Sequence, residues 1–257
     1  PLCAEQMLYA ACFRVMAEIS KQLGKDGNVY RQEYKKLTAA IEKFFWDEEK
    51  GAYIDSFTSG KRNVTRHANI FAILFDIADK QKQEKILKNV LENDEIPAIT
   101  TPYFNFFELD VLCQMGKLTE VLDKIRSYWG GMLDLGAVTF WEEYDPSVPK
   151  EEQYDMYGDH FGKSLCHAWA ASPIYFLAKY FAGLDLVNKD GVTYVLKPQM
   201  QYFTDLDCTL PVGSDGTVRL AWDGECLEVT ADAEGGVLEL GEEKISLVRG
   251  ETRRVKI

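Results

Sequence analysis

The apolar spacing of this chain changes near Leu184, and the change divides what the chain can fold into. Up to about Phe181 apolar residues recur three and four apart, the spacing of a helix face. From about Gly191 they alternate, the spacing of a strand. Leu8, Ala11, Val15, Ile19 and Leu23 form one expected core stripe, closed by Gly24 as a C-terminal cap. Tyr34, Leu37, Ile41 and Phe44 form a second. Further helices are expected over 67–77 and 81–91, the latter with Ile86, Leu87, Val90 and Leu91 opposite Lys82, Lys85 and Lys88.

Two helices read differently. The one opening at Thr101-Pro102 carries Tyr103, Phe104, Phe106, Phe107, Leu109, Val111, Leu112 and Met115 nearly all round before Gly116, so it is expected to be enclosed. The stretch 164–181 (Leu165, Trp169, Ile174, Tyr175, Leu177, Phe181) is apolar all round as well, and between the two lies an amphipathic helix over 119–129. Enclosed helices alternating with half-exposed ones suit concentric inner and outer rings, or a large bundle. In the C-terminal part, Val218, Leu220 and Trp222 alternate with Thr217, Arg219 and Ala221, with turn signals at Asp215-Gly216, Asp223-Gly224, Gly235-Gly236 and Arg249-Gly250. The fold class is therefore mainly α with a β tail: residues 1–184 helical and residues 185–257 a small antiparallel sheet or sandwich.

Composition narrows the partners. A net charge of -12 over 257 residues repels a phosphate backbone, which argues against nucleic acid. No apolar run approaches the roughly 20 residues of a membrane span, and Pro1 to Met7 lack the pattern of a signal peptide. The six cysteines contain no CxxC pair, and three fall in apolar helical patterns, which suits buried free thiols and leaves the compartment open. Three histidines without HxxxH or HExxH spacing argue against a metal enzyme. The chain opens at Pro1 and is helical in pattern almost at once, so a piece of a longer protein is expected.

The stretch between Gly130 and Lys163 is long for a loop, and loops of that length are usually functional or disordered. Trp141, Tyr144, Tyr154 and Tyr157 are interleaved there with Glu142, Glu143, Asp145, Glu151, Glu152, Asp155 and Asp159. Aromatic faces pack on sugar rings and carboxylates accept hydroxyl hydrogen bonds, so the mixture suits a carbohydrate; a solvated acidic loop pinned by its aromatics is the plainer alternative. A calcium site would show a DxDxDG run, and there is none. If 138–143 is extended, Glu142 and Glu143 point opposite ways and one of them faces a shared pocket, but spacing does not choose between them. By position alone His167, beside Trp169 in an enclosed helix, reads as a core histidine, and His67 is open to either reading.

Taken together, these segments resemble a known family. Phe45-Trp46-Asp47 followed by Lys50-Gly51-Ala52-Tyr53 resembles a hairpin turn of alpha/alpha-toroid glycosidases. His67-Ala68-Asn69, Thr101-Pro102-Tyr103-Phe104, Tyr128-Trp129-Gly130-Gly131-Met132-Leu133, Gly136-Ala137-Val138-Thr139-Phe140-Trp141-Glu142 and Ser164-Leu165-Cys166-His167-Ala168-Trp169 follow in the order of the family 78 alpha-L-rhamnosidases.

The resemblance implies the latter part of an (alpha/alpha)6 catalytic barrel over 1–184 and a C-terminal β-sandwich over 185–257, with the N-terminal half of the same protein missing. It implies inverting hydrolysis of a rhamnose-containing oligosaccharide or glycoside by two carboxyl groups roughly 6.5–9.5 Å apart, with water as co-substrate and no cofactor. The family's general base falls on Glu142. The histidine expected to touch the sugar falls on His167, which reverses its positional reading; Trp141 and Tyr103 become wall residues, and His67 and Asn69 further candidates. The family's acidic Asp-x-x-x-Arg-Asp-Glu type motif, which holds the general acid, has no counterpart here: Asn93-Asp94-Glu95 lacks both its Arg and its context. Another toroid glycosidase and a noncatalytic carbohydrate-binding module are the alternatives.

Overall fold

The computed structural model describes residues 2–189, 192–214 and 216–257. Gly191 and Asp215, where the strand-like spacing and one turn were expected, lie outside the described residues. The chain divides into two compact units, Pro1–Gly116 with Gly131–Cys166, and Lys117–Gly130 with His167–Ile257. Among the described residues no helix is long and apolar enough to cross a membrane.

The first unit opens with α1 (Cys3–Gln22) and α2 (Asn28–Phe45), which pack on each other. Gly24, at φ 66°, ends the first as expected. The face of α1 that is buried is not the expected one. Cys3, Met7, Ala10, Ala11, Ala17 and Ser20 are inside, whereas Leu8, Val15, Ile19 and Leu23 are 42–65% exposed. Small side chains allow close backbone approach, and this explains the reversal: a Cβ on Gly27 would lie 2.9 Å from the Ala17 carbonyl oxygen. In α2 the inward stripe is shifted by one residue at its end, with Ile41 and Phe45 buried and Phe44 stacked on Phe57 at the surface.

The hairpin expected after α2 forms: β1 (Trp46–Asp47) pairs antiparallel with β2 (Ala52–Tyr53). Asp47 Oδ1 accepts from the amides of Glu49 and Lys50, both at 3.1 Å, and its Oδ2 accepts from Arg62 at 2.7 and 2.9 Å. Next come α3 (Arg66–Leu74), α4 (Lys80–Ile86), which runs on through a π-type turn over Leu87–Leu91, and α5 (Pro102–Gln114). As expected, Ile86, Val90 and Leu91 of the fourth helix are buried. The enclosure expected of α5 is partial. Its buried side includes Asn105 and Glu108, while Tyr103 is 48% exposed. Glu108 Oε1 accepts from Arg66 of α3 at 3.0 Å, and Arg66 also donates to the Leu91 carbonyl at 2.9 Å.

In the second unit α6 (Leu118–Lys124) continues through a π-type turn over Ile125–Trp129. Trp129 donates its indole N–H to the Ala170 carbonyl at 2.8 Å. The single enclosed helix expected over 164–181 does not form. A short 3-10 turn (Ala168–Ala170) precedes α7 (Ser172–Phe176) and a π-type turn over Leu177–Phe181. Pro173 accounts for the late start, because it suits a first helical position and offers no amide to a preceding turn. Ile174 and Trp169 are exposed, so this stretch is not enclosed within the chain.

Strands begin at Leu184, before the alternation is legible. One sheet has the order β10-β7-β6-β5 and the other β3-β4-β8-β9, with β3 Leu184–Lys189, β4 Val192–Leu196, β5 Leu206–Val212, β6 Gly216–Trp222, β7 Cys226–Ala231, β8 Gly236–Leu240, β9 Glu243–Leu247 and β10 Thr252–Lys256. The expected purely antiparallel pairing is corrected at one place, where β4 and β8 run parallel. Val218 and Leu220 of β6 point into one apolar cluster with Tyr194, Leu196, Leu227, Val229 and Leu238, drawn from both sheets. Of the six cysteines, all free, Cys3 and Cys113 are buried while Cys12 and Cys166 are exposed, so the reading as buried thiols holds only in part.

Candidate active site

The stretch after Gly130 is mostly irregular backbone, held by specific contacts. A short helix, Gly130–Asp134, starts it. Gly131 lies against the ring of Tyr144, and a Cβ there would sit 2.4 Å from the phenol oxygen, so no larger residue fits. Gln153 is buried and donates to the carbonyls of Asp145 and Val148, at 2.6 and 2.8 Å, closing the Asp145-Pro146-Ser147-Val148 turn. Trp141, 3% exposed, packs its ring against Tyr154 with centroids 5.6 Å apart.

Glu142 is the best-held acid of this region. It is 8% exposed, and its backbone N–H donates to the Ser164 carbonyl at 2.9 Å. Its Oε2 accepts the Ser164 N–H at 3.1 Å, and its Oε1 accepts the Tyr157 hydroxyl at 3.2 Å. Thr139 Oγ1 donates to the Leu165 carbonyl, so 139–142 lies alongside 164–165 without forming a regular strand. The alternation expected for an extended 138–143 is therefore absent: Trp141 and Glu142 are both buried, and Glu143 is half-buried. Lys163 is also buried. Desolvation pushes its ammonium below the ordinary lysine range, and the charges of Glu143, Asp145, Asp155 and Glu142 act in the other direction.

The other candidates fall into two groups. His67, at the start of α3, sets its ring 4.3 Å from that of Phe104, the neighbour of Tyr103 on α5. Desolvation lowers the His67 pKa, with the charge of Asp55 opposing it. Asn69 is corrected: its side chain is fully buried, accepting from the Tyr53 N–H at 2.9 Å and donating to the carbonyls of Tyr53 and Thr65 at 3.0 and 2.9 Å. An amide used on both sides to lock the β2 backbone is structural. His167 belongs to the second unit, where it sits half-buried in extended backbone (φ -126°, ψ 105°), with its ring 4.2 Å from that of Trp169. The structure thus brings Glu142 together with Tyr157 and Ser164, and His67 with Phe104.

Residues 3–181 match the family model described as the bacterial alpha-L-rhamnosidase 6 hairpin glycosidase domain. The chain belongs to this family. It is similar to the rhamnosidase from Klebsiella oxytoca with rhamnose bound, at 29% identity over 69% of this chain and 34% of that one, with a TM-score of 0.60. It also shares the fold of the GH78 family rhamnosidase of Bacillus sp. GL1, at 22% identity over 94% of this chain and 26% of that one (TM-score 0.76). The alpha-L-rhamnosidase of Streptomyces avermitilis, complexed with L-rhamnose, gives 16% identity over 91% and 22% (TM-score 0.66). The chain therefore spans about a third or less of the length of these rhamnosidases. No curated protein matches it.

The sequence reading missed the two donors that hold Glu142. The Ser164 contact comes from the backbone and leaves no mark on residue type. Tyr157 left none either, since a tyrosine before glycine is not one of the pairs that mark a tight turn.

Proposed function

We propose that the protein containing this chain is an inverting alpha-L-rhamnosidase with Glu142 as its general base. In this reading residues 1–184 are the latter part of an (alpha/alpha)6 catalytic barrel and residues 185–257 a C-terminal β-sandwich. The observation that carries the base assignment is the hold on Glu142: buried, with the Tyr157 hydroxyl donating to one carboxylate oxygen and the Ser164 amide to the other, beside the half-buried Glu143. A general base must present its oxygen to one water in one orientation, and two donors fix the plane of the carboxylate.

The chemistry follows from the pair. Glu142 takes a proton from water as the water oxygen bonds to the anomeric carbon from the face opposite the leaving group. A second carboxyl group, supplied from outside this chain, gives its proton to the glycosidic oxygen as that bond breaks, so the configuration inverts. His167, Tyr103 and His67 are the proposed contacts to the terminal rhamnose, and Trp141 backs the pocket. Without the acid and the rest of the barrel, the chain alone turns over little or no substrate, since acid or base assistance contributes typically about 10²–10⁴-fold and an open pocket admits water.

The test is hydrolysis of para-nitrophenyl alpha-L-rhamnoside by the full-length protein, its Glu142→Gln and Glu143→Gln variants, and the isolated chain. We expect Glu142→Gln to lower kcat by about 10²–10⁴-fold, Glu143→Gln to cost far less, and proton NMR to detect β-rhamnose as the first product. Wild-type rates in Glu142→Gln, or α-rhamnose released first, overturn the mechanism. A full-length protein that binds rhamnosides without cleaving them is a sugar-binding module instead.

A further inference from the structure

Tyr157 occupies a position that neither backbone preference nor burial explains. It and Gly158 are the central residues of a tight reversal between Met156 and Asp159, which pair in antiparallel fashion with both N–H···O distances at 3.0 Å. Both central residues have left-handed backbone, φ 54° at Tyr157 and φ 82° at Gly158, as a type I′ turn requires. The first of these positions favours Asn, Asp or Gly, and a bulky side chain there is strained. Core packing does not offset that strain, because Tyr157 is 84% exposed. The turn is braced from behind: a Cβ on Gly162 would lie 2.2 Å from the Met156 carbonyl oxygen, and Lys163 N–H donates to the Tyr154 carbonyl at 3.2 Å. What the side chain does make is the 3.2 Å hydrogen bond from its hydroxyl to Glu142 Oε1.

Strained backbone at an exposed residue whose hydroxyl is held by a hydrogen bond points to that contact. We infer that Tyr157 is a positioning residue for Glu142, carried by its turn so that the phenol fixes one carboxylate oxygen while the Ser164 amide fixes the other. This rests on the reading of Glu142 as the general base and extends it to a residue outside the segments whose spacing matches the family. The donor role suits the local charge: Glu142, through its charge and the hydrogen bond, holds the phenol above its ordinary pKa, with Glu143 adding to the effect. The phenol therefore keeps its proton through the ordinary tyrosine range and acts there as the donor. Loss of the phenol donor loosens the orientation of the Glu142 carboxylate toward its water.

The experiment compares wild type, Glu142→Gln, Tyr157→Phe and Tyr157→Asn in the full-length protein, with para-nitrophenyl alpha-L-rhamnoside across pH. Tyr157→Phe removes one oxygen from an exposed ring, so it should fold like wild type. We expect kcat to fall about five- to thirtyfold with KM within about twofold. Tyr157→Asn gives the turn a preferred residue, so it should melt no lower than wild type yet lose activity as Tyr157→Phe does. Wild-type kcat in Tyr157→Phe, or full activity in Tyr157→Asn, overturns the inference. If Glu142→Gln is inactive and Tyr157→Phe is not, only the positioning role fails. If Glu142→Gln keeps wild-type rates, the base reading fails and the positioning role falls with it.

Discussion

The helices of the first unit and the paired sheets of the second build their interiors from different materials. Among the described residues the sheet cluster holds no buried charged or amide side chain, its Tyr194 hydroxyl aside, and Val218, Leu220, Leu227 and Val229 are fully buried. The first unit buries Asp47, Arg66, Asn69, Asn105, Glu108, Glu142, Gln153 and Lys163 among its apolar residues, while α1 leaves Leu8, Val15, Ile19 and Leu23 outside. Strands have two faces, and stacking two sheets settles which one is dry. A helix has no such constraint. In α1 the dry side is the one whose alanines let α2 and α3 come close, and the neighbouring irregular loops need buried polar side chains to satisfy their carbonyls and amides. The sheets are held by area, and the helical unit by area together with directed hydrogen bonds.

The contrast is tested most sharply at Arg66, which is almost fully buried and serves Glu108 and the Leu91 carbonyl at once. Arg66→Met keeps the length but takes the guanidinium away from Glu108, and removing one partner of a buried pair costs about 3–5 kcal/mol. Loss of that size should appear as early unfolding of the first unit in urea. The double variant Arg66→Met/Glu108→Leu should recover much of it, and recovery of nothing would mean that the carbonyl contact matters more than the ion pair.

Next in size is Leu220, fully buried in the sheet cluster. Leu220→Ala should cost about 2–5 kcal/mol, read as faster amide exchange across β5, β6 and β7. The matching change on the helix, Leu8→Ala, removes the same atoms from a half-exposed site and should cost less than about 1 kcal/mol. Equal losses at the two sites would show that the α1 stripe is covered in the full-length protein.

These differences also explain what could be read in advance. The strands β5 to β7 were legible because alternation leaves two choices and Val218-Leu220-Trp222 makes one; the parallel β4–β8 pair depends on contacts distant in sequence. Helix positions were legible to within a few residues, but the inward side of α1 was not, because the larger apolar stripe lost to the smaller one. At the candidate site residue type marked the aromatic and acidic stretch, and only the family resemblance singled out Glu142 and Trp141 within it. Residue type could not show that Asn69 locks β2, that His167 precedes a helix rather than lying in one, or that an exposed tyrosine reaches Glu142. Each of those is set by backbone geometry that spacing does not encode.

The smallest expected effect concerns the hairpin that begins the helical unit's loop system. Desolvation of Asp47 works to raise its pKa, but hydrogen bonds from the Lys50 amide, the Arg62 guanidinium and the Glu49 amide, with the charge of Arg62, outweigh it and hold the carboxyl below the ordinary range. A carboxylate depressed in the folded state adds stability above its unfolded value, and the addition disappears as pH falls through the folded value. Arg62 is itself about half exposed, so only part of this is its own. Arg62→Ala should therefore melt lower than wild type at pH 6 by a small margin, and the two curves should converge below about pH 4 as Asp47 protonates in both proteins. If the gap instead persists unchanged at pH 2.5, Arg62 stabilises the hairpin by packing its stem, and the helical unit's reliance on directed polar contacts is weaker at this edge than at Arg66.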